Sequence, residues 1–170
     1  MAVVLAEDSG DIHRLGRNVL EQACACKARW NRQGFGPISM AVNVSPLQLS
    51  DDEFVPRLAG ILQTHGLSPA DIELELTESL HIPNTRVVDT TLRDLSELGI
   101  RLAMDDFGMG HSSLLHLRRF RVHAIKIDGS LTRDVLTNAA SADIVRTMQL
   151  LGVTSIDQLG PDLVSLRPPR

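Results

Sequence analysis

The sequence contains no tyrosine, one tryptophan and four phenylalanines, so aromatic residues make up only 3% of its 170 residues. Its formal net charge at pH 7 is -4. Surfaces that bind nucleic acids usually combine a basic face with aromatic rings on which the bases stack. The scarcity of aromatic rings and the acidic charge balance therefore predict that nucleic acid is not a partner of this protein.

Cysteine is rare, and histidine forms no recognisable pattern. The two cysteines, Cys24 and Cys26, are two residues apart on a predicted helix and point to different sides, so we expect free thiols. The six histidines form neither a His-x-His nor a His-Glu-x-x-His pattern. A zinc site or another metal site built from histidine is therefore not predicted.

Long apolar runs are also absent from the sequence. No segment approaches the length of a membrane span, and Glu7 and Asp8 interrupt the apolar start too early for a signal peptide. We therefore expect a cytoplasmic protein without a membrane partner. Hydrophobic residues make up 43% of the chain and charged residues 22%, as in ordinary globular proteins. Because no linker or low-complexity segment divides the chain, we predict one domain over residues 1–170.

Helical and extended patterns alternate along the chain. Strands are predicted over residues 38–44, 71–77, 100–104 and 123–128, and helices over residues 11–30, 54–62, 87–98, 114–117 and 141–151. Such alternation predicts βα units that build a parallel sheet. The first helix carries an apolar stripe that we expect to pack on the sheet: Ile12, Leu15, Val19, Leu20 and Ala23.

Helix ends are predicted from capping residues. Ser50, Asp51 and Asp52 are candidate N-caps of the second helix, which we expect to end at Gly66. Gly99 is expected to end the following helix. These positions predict where each helix ends and the segment that leads to the next strand begins.

Polar residues lie at the carboxyl ends of four successive predicted strands: Asn43, Glu75, Asp105 and Lys126. In a parallel barrel this is where the active site lies. The carboxylates of Glu73 and Glu75 and the ammonium of Lys126 would then point inward, which is costly without partners. An open sheet with a solvated acidic face is the alternative.

Two adjacent carboxylates, Asp105 and Asp106, follow the third strand within the sequence Met-Asp-Asp-Phe-Gly-Met-Gly-His-Ser-Ser of residues 104–113. Two neighbouring negative charges repel each other, so a folded protein keeps them mainly where solvent, a cation or hydrogen-bond donors stabilise them. A surface turn is the alternative explanation, since acidic and glycine-rich segments are common in turns.

Four segments, in this order, resemble those of the EAL domain family, the cyclic di-GMP phosphodiesterases of bacterial signalling. They read Asn-Val-Ser-Pro-Leu-Gln-Leu (43–49), Glu-Leu-Thr-Glu-Ser (75–79), Asp-Asp-Phe-Gly-Met-Gly-His-Ser-Ser-Leu (105–114) and Lys-Ile-Asp (126–128). The resemblance extends from about Val3 to Arg146. It implies a modified TIM barrel that hydrolyses cyclic di-GMP to linear pGpG with two Mg²⁺ or Mn²⁺ ions.

The resemblance also implies ligands for both metal ions. Asn43, Glu75 and Asp105 would bind metal, and Asp106 would bind the second ion. Two cations can activate the attacking water and stabilise the leaving oxygen of a phosphodiester, and hard cations prefer oxygen ligands. The alternative for Glu75 and Asp105 is a buried ion-pair network, and for Asn43 a strand-end hydrogen bond or a helix cap.

Three further roles follow from the same resemblance. Lys126 would orient or activate the attacking water, and Asp128 would assist in placing metal or water. Glu78 would anchor the mobile loop that begins at Asp105. For Lys126 the alternative is again a buried ion pair, whereas Glu78 and Asp128 have a purely structural role as their alternative.

The sequence also departs from the family pattern. It contains no Glu-Ala-Leu signature, and Gln-Leu-Leu-Gly stands at residues 149–152 where the family has Ala-Glu-Gly-Val-Glu, so two metal-binding glutamates are missing. By the same resemblance, residues 3–146 are family-like and residues 147–170 form a divergent tail, in which Gln158 would be a remnant of the family's active-site glutamine. The expected fold is an incomplete TIM-like (β/α) barrel without its first two strands and part of its C-terminal end.

These departures shape the expected function. We expect low or no phosphodiesterase activity, because the second ion loses part of the charge that holds it. We also expect self-association, or a protein partner that covers the open sheet edges. The alternatives are a non-catalytic module that binds cyclic di-GMP or a protein partner, and a remnant that folds poorly.

Overall fold

The structure is a computed structural model and describes residues 2–35, 38–77, 85–107 and 122–129. The predicted helices over residues 114–117 and 141–151 lie outside the described residues. Within the described part, no helix combines the length and the apolar character that crossing a membrane requires.

Helices and strands alternate in the described residues, and all four predicted strands are present. In chain order the elements are α1 (Ala2–Ser9), α2 (Ile12–Arg32), β1 (Met40–Asn43), α3 (Pro46–Leu49), α4 (Phe54–His65), a 3-10 turn (Pro69–Asp71), β2 (Ile72–Thr77), α5 (Arg86–Leu98), β3 (Arg101–Phe107) and β4 (Ala124–Ile127). The two helices α1 and α3 were not predicted from the sequence.

The described residues belong to two compact units. The first contains α1 to α5, β1, all of β2 except its last residue, and the first two residues of β3, whereas the second contains the remainder of β3 and β4. In the first unit β1 pairs with β2 in parallel, and in the second unit β3 pairs with β4 in parallel. The predicted α/β class with parallel strands is therefore confirmed.

The buried face of α2 differs from the predicted stripe. Ile12, Gly16, Leu20, Cys24, Lys27 and Ala28 are buried. Leu15 and Val19 are 38% and 42% exposed, so the prediction was wrong for these two residues. Burial at every fourth residue reflects the helical period, which places these residues on one face. The small Gly16 belongs to that face and lies against Gln48, and hydrophobicity alone does not mark such a position.

Lys27 is a buried cation in the first unit, with 1% of its surface exposed. Its Nζ lies 2.8 Å from Oδ1 of Asp71 and also donates to Oδ1 of Asn31. The pair joins α2 to the 3-10 turn that precedes β2. Nearby Cys24 is fully buried, and both cysteines are free thiols as predicted.

The start of α4 also corrects a prediction. None of Ser50, Asp51 and Asp52 is its N-cap, because the helix begins after Glu53, whose side chain makes no capping hydrogen bond. The carboxylate of Asp51 instead accepts the backbone N–H of Glu53 at 3.0 Å and a hydrogen bond from Arg57 at 2.9 Å.

The predicted helix ends at glycines are confirmed. Gly66 follows α4 with φ 64° and Gly99 follows α5 with φ 90°, both in the left-handed region that glycine adopts without strain. The segments that connect these caps to the next strands are short, so each strand follows its helix closely.

Candidate functional site

In the first unit, Asn43 and Glu75 are neighbours across two parallel strands. Asn43 is the last residue of β1, and its register partner on β2 is Glu75. The backbone N–H of Val44 continues the pairing by donating to the carbonyl oxygen of Glu75 at 2.9 Å. Asn43 is exposed, whereas Glu75 is 7% exposed. Here the strand ends bring an amide and a buried carboxylate side by side.

The acidic face of β2 is buried. Alternation places Glu73 and Glu75 on one face of the strand, while Ile72, Leu74 and Leu76 lie on the other face and are fully buried. Glu73 is 8% exposed, and its Oε2 lies 3.7 Å from Nε of Arg101. The solvated acidic face considered from the sequence is therefore wrong, and Glu73 has the cationic partner that burial demands.

In the second unit, Asp105 and Asp106 lie in a β-bulge of β3. Two residues on β3 oppose the single residue Lys126 on β4, which is the arrangement that defines a bulge. The register pairs that flank the bulge are Met104 with Ile125 and Phe107 with Ile127. The extra residue interrupts the alternation of the strand, so the two carboxylates need not point to opposite faces.

The backbone of Asp106 is left-handed, with φ 53°, and among the described residues it is the one non-glycine residue with a positive φ. This conformation is uncommon outside glycine but is tolerated by aspartate and asparagine. Asp105 is 7% exposed, whereas Asp106, Lys126 and Asp128 are half-buried. Strained residues of this kind cluster at functional sites.

The donor atoms fit a hard divalent cation. The first unit offers an amide and a carboxylate on neighbouring strands, and the second offers two carboxylates in one bulge. Mg²⁺ prefers oxygen ligands and usually keeps several waters while binding one or two carboxylates. Within the described ranges, no group of three or more His, Cys, Asp or Glu side chains is placed to hold a metal ion.

Two predicted site residues, Glu78 and Gln158, lie outside the described residues. Sequence reasoning also missed two features of the described part. It did not foresee the ion pair between Glu73 and Arg101, and it overlooked the capping box of Ser45 and Gln48 next to Asn43. The Ser-x-x-Gln spacing is the signal that would have indicated this box.

Residues 2–155 of the chain match the family model described as the EAL domain. The chain is 37% identical over 143 residues to the cyclic di-GMP phosphodiesterase PdeR of Escherichia coli K12, a match that covers 84% of this chain and 22% of PdeR. It spans between about a fifth and a quarter of the length of the curated relatives it matches, from 18% to 27%.

Solved structures show the same similarity. The structure of PaMucR phosphodiesterase in its c-di-GMP complex matches with a TM-score of 0.78 and 34% identity, and the match covers 89% of this chain and 62% of that one. Klebsiella pneumoniae BlrP1 in its manganese and cy-diGMP complex matches with a TM-score of 0.67 and 31% identity, covering 82% of this chain and 36% of BlrP1. The family predicted from the four motifs is confirmed: this chain belongs to the EAL domain family.

Proposed function

We propose that this chain is a metal-dependent phosphodiesterase domain that hydrolyses cyclic di-GMP to pGpG with low activity. Family membership and the relative named a cyclic di-GMP phosphodiesterase support the substrate. The observation that carries the proposal is the placement of oxygen donors at strand ends, with Asn43 opposite Glu75 and a bulge of two aspartates opposite Lys126.

We assign Asn43, Glu75, Asp105 and Asp106 as the ligands of Mg²⁺ or Mn²⁺. The bound ions would activate a water molecule and stabilise the leaving oxygen of the phosphodiester. The four side chains supply only oxygen donors, which is the chemistry both ions require. A structural relative solved with manganese and cy-diGMP supports this choice of metals.

Lys126 and Asp128 are assigned to the handling of water and substrate charge. Lys126 is opposite the two aspartates in the register of β3 and β4, so the charge of its ammonium can orient the attacking water and stabilise the phosphate oxygens. Asp128 follows two residues later, directly after the end of β4 at Ile127. Its carboxylate can hold the ammonium or the water in place.

Low activity follows from the charge of the ligand set. Glu75, Asp105 and Asp106 supply three negative charges, fewer than the four positive charges of two divalent ions. At residues 149–152 the sequence has Gln-Leu-Leu-Gly where the family has Ala-Glu-Gly-Val-Glu, so a metal-binding glutamate of the family pattern is absent there. The second ion is therefore held weakly, and turnover requires high Mn²⁺ concentrations.

Hydrolysis of cyclic di-GMP tests the proposal directly. The chain is incubated with cyclic di-GMP and increasing Mn²⁺, and pGpG is measured by chromatography. We expect slow turnover in the wild type and none in Asp105→Asn or Glu75→Gln, which keep side-chain shape but remove a charged ligand. Glu97→Gln, a change on the exposed surface of α5, is the matched control and should keep the wild-type rate. Absence of pGpG at high protein concentration would contradict the proposed phosphodiesterase activity.

A second candidate is a non-catalytic module that binds cyclic di-GMP or a protein partner. The family glutamate that is absent at residues 149–152 favours it, because contacts to the nucleotide can persist when a metal site is weakened. Calorimetry that detects cyclic di-GMP binding without pGpG formation would support this function. The cytoplasmic location remains a prediction. The self-association, or the protein partner, expected from the sequence also remains a prediction.

A further inference from the structure

The carboxyl end of β1 is joined to three helices through two residues, Ser45 and Gln48. Only Val44 separates Asn43 from Ser45, which is the N-cap of α3 and has extended backbone angles, φ -73° and ψ 142°. The backbone N–H of Ser45 donates to Oε1 of Gln48 at 3.1 Å, and the N–H of Leu47 donates to Oγ of Ser45 at 3.2 Å. This reciprocal capping box begins two residues after the proposed metal ligand.

The side chain of Gln48 is unusual for a capping box because it is buried, with 4% of the residue exposed. It lies against Gly16 of α2 so closely that a Cβ at Gly16 would be 1.9 Å from Nε2 and 2.5 Å from Cδ of Gln48. Glycine in a helix interior is unfavourable relative to alanine. Gly16 therefore lowers the stability of α2 relative to alanine at this position, but it leaves room for the Gln48 amide.

A third helix holds the same segment from the other side. Oγ of Ser45, in a residue that is 6% exposed, donates a hydrogen bond of 2.6 Å to the carboxylate Oε1 of Glu7 on α1. A hydrogen bond to a carboxylate is stronger than one between neutral groups. α1, α2 and α3 together fix Ser45 and Gln48, and through Val44 they fix the strand end that carries Asn43.

We propose that Gln48 is a positioning residue that holds Asn43 in place. Gly16 on α2 provides the space that the Gln48 amide occupies. This inference rests on the proposed function, in which Asn43 binds metal. Gln48 touches neither metal nor substrate in this assignment. It holds the Ser45 backbone, keeps Val44 hydrogen-bonded to Glu75, and so presents the Asn43 amide beside the Glu75 carboxylate. Groups that orient metal ligands in this way affect metal affinity.

Gly16→Ala and Gln48→Ala separate this role from simple packing. The Gln48 amide is the movable end of a flexible side chain, so the new Cβ in Gly16→Ala pushes the amide aside and breaks its bond to Ser45. Gly16→Ala should therefore reproduce the effect of Gln48→Ala. In the double variant the amide is gone, and the alanine at position 16 should have no further effect on metal binding.

Ser68→Ala provides a matched control. Ser68 forms a capping box with Asp71 at the start of β2, whereas Gln48 acts at the carboxyl end of β1. Ser68 precedes β2, at the opposite end of the β1–β2 pair from Asn43 and Glu75, and loss of its hydroxyl removes a similar cap there. It should lower thermal stability without changing the affinity for Mn²⁺.

Two NMR measurements test the inference. Mn²⁺ titration, followed by paramagnetic broadening of the Asn43 side-chain amide, should show affinity weakened about tenfold in Gln48→Ala, in Gly16→Ala and in their double variant. Without metal, the Val44 amide should exchange faster in the same three variants. Ser68→Ala should match the wild type in both measurements.

The outcomes separate the two proposals. If Mn²⁺ does not broaden the NMR signal of the Asn43 side-chain amide in the wild type, the proposed function is wrong, and the proposed role of Gln48 is then wrong as well. If Mn²⁺ binds the wild type but Gln48→Ala and Ser68→Ala weaken it equally, or if Val44 exchange does not change in Gln48→Ala, then Gln48 is only a helix cap and this inference alone is overturned.

Discussion

Lys27 lies in the interior of the first unit, although lysine is among the residues least often buried. Its ammonium has an anionic partner in Asp71, whose carboxylate also accepts the backbone N–H of Ser68 at 2.8 Å. The pair therefore neutralises the charge of the Lys27 ammonium and gives both side chains hydrogen-bond partners. A buried pair of this kind is costly to break but is replaced by apolar groups at little cost.

Asp71→Asn alone and the double variant Lys27→Met, Asp71→Asn should therefore have unequal effects on the free energy of unfolding. Asp71→Asn leaves a buried ammonium without a counter-charge and should destabilise the protein by about 3 kcal/mol. The double variant removes both charges and replaces the buried lysine by an apolar side chain, and should cost less than about 1 kcal/mol. Urea unfolding at pH 7 measures both values, and equal losses would contradict the importance of the unpaired charge.

At the level of the element, β3 is shaped by its bulge. The left-handed φ of Asp106 is tolerated by aspartate and by glycine but is unfavourable for alanine, whose Cβ approaches the backbone. The bulge also sets two carboxylates opposite one lysine. The same backbone feature thus decides both the stability of β3 and the placement of the proposed ligands.

Asp106→Ala and Asp106→Gly should differ in stability but not in activity. Both variants lose the carboxylate, so neither should hydrolyse cyclic di-GMP, whereas the glycine variant should be more stable by about 1 kcal/mol because it relieves the left-handed strain. Thermal unfolding and the pGpG assay measure the two effects. Asp106→Asn is the control that keeps both size and backbone preference, and it should unfold like the wild type. Equal stability of the alanine and glycine variants would argue against the bulge.

Local sequence patterns predicted the elements better than the contacts between them. The β strands and the glycine ends of α4 and α5 were predicted correctly because alternation, periodicity and left-handed glycines act within a few residues. The buried stripe of α2 and the start of α4 were predicted wrongly, because Gly16 and Asp51 acquire their roles only through Gln48 and Arg57 on other turns and helices.

For the whole molecule, the order of motifs predicted the family, and strand ends predicted that Asn43 and Glu75 would be neighbours. The bulge could not be predicted, because a register shift depends on the partner strand β4. The pairing of Glu73 with Arg101 was missed for a similar reason, since it joins the starts of two strands separated by α5. Sequence patterns therefore indicate which residues to assign to the proposed site, whereas the arrangement of these residues depends on strand pairing.

Acid should destabilise the whole molecule through two carboxyl groups, Asp51 and Asp71. Burial raises the pKa of each, but hydrogen bonds and electrostatic attraction outweigh burial. Hydrogen bonds from Arg57 and the Glu53 N–H and the electrostatic effect of His13 lower the pKa of Asp51, and hydrogen bonds from Lys27, the Ser68 N–H and Asn31 lower that of Asp71. The folded pKa of both is consequently below the ordinary value of 3.8. The unfolded chain binds protons more readily, so this stabilisation is complete above the unfolded pKa and is lost as pH falls through the folded pKa.

The free energy of unfolding in urea, measured at pH 7, 5 and 3, should therefore change little through these two groups from pH 7 to 5 and fall between pH 5 and 3. In the double variant Asp51→Asn, Asp71→Asn the protein should be less stable at pH 7, and the fall towards pH 3 should be shallower than in the wild type. Asp52→Asn, at an exposed neighbour of Asp51, should keep the wild-type slope. A double variant whose stability falls as steeply as that of the wild type would show that other carboxyl groups control acid unfolding. The shallower slope is expected because Asp51 joins the start of α4 to Arg57 and Asp71 joins α2 to the turn before β2, so protonation loosens two separate contacts of the first unit.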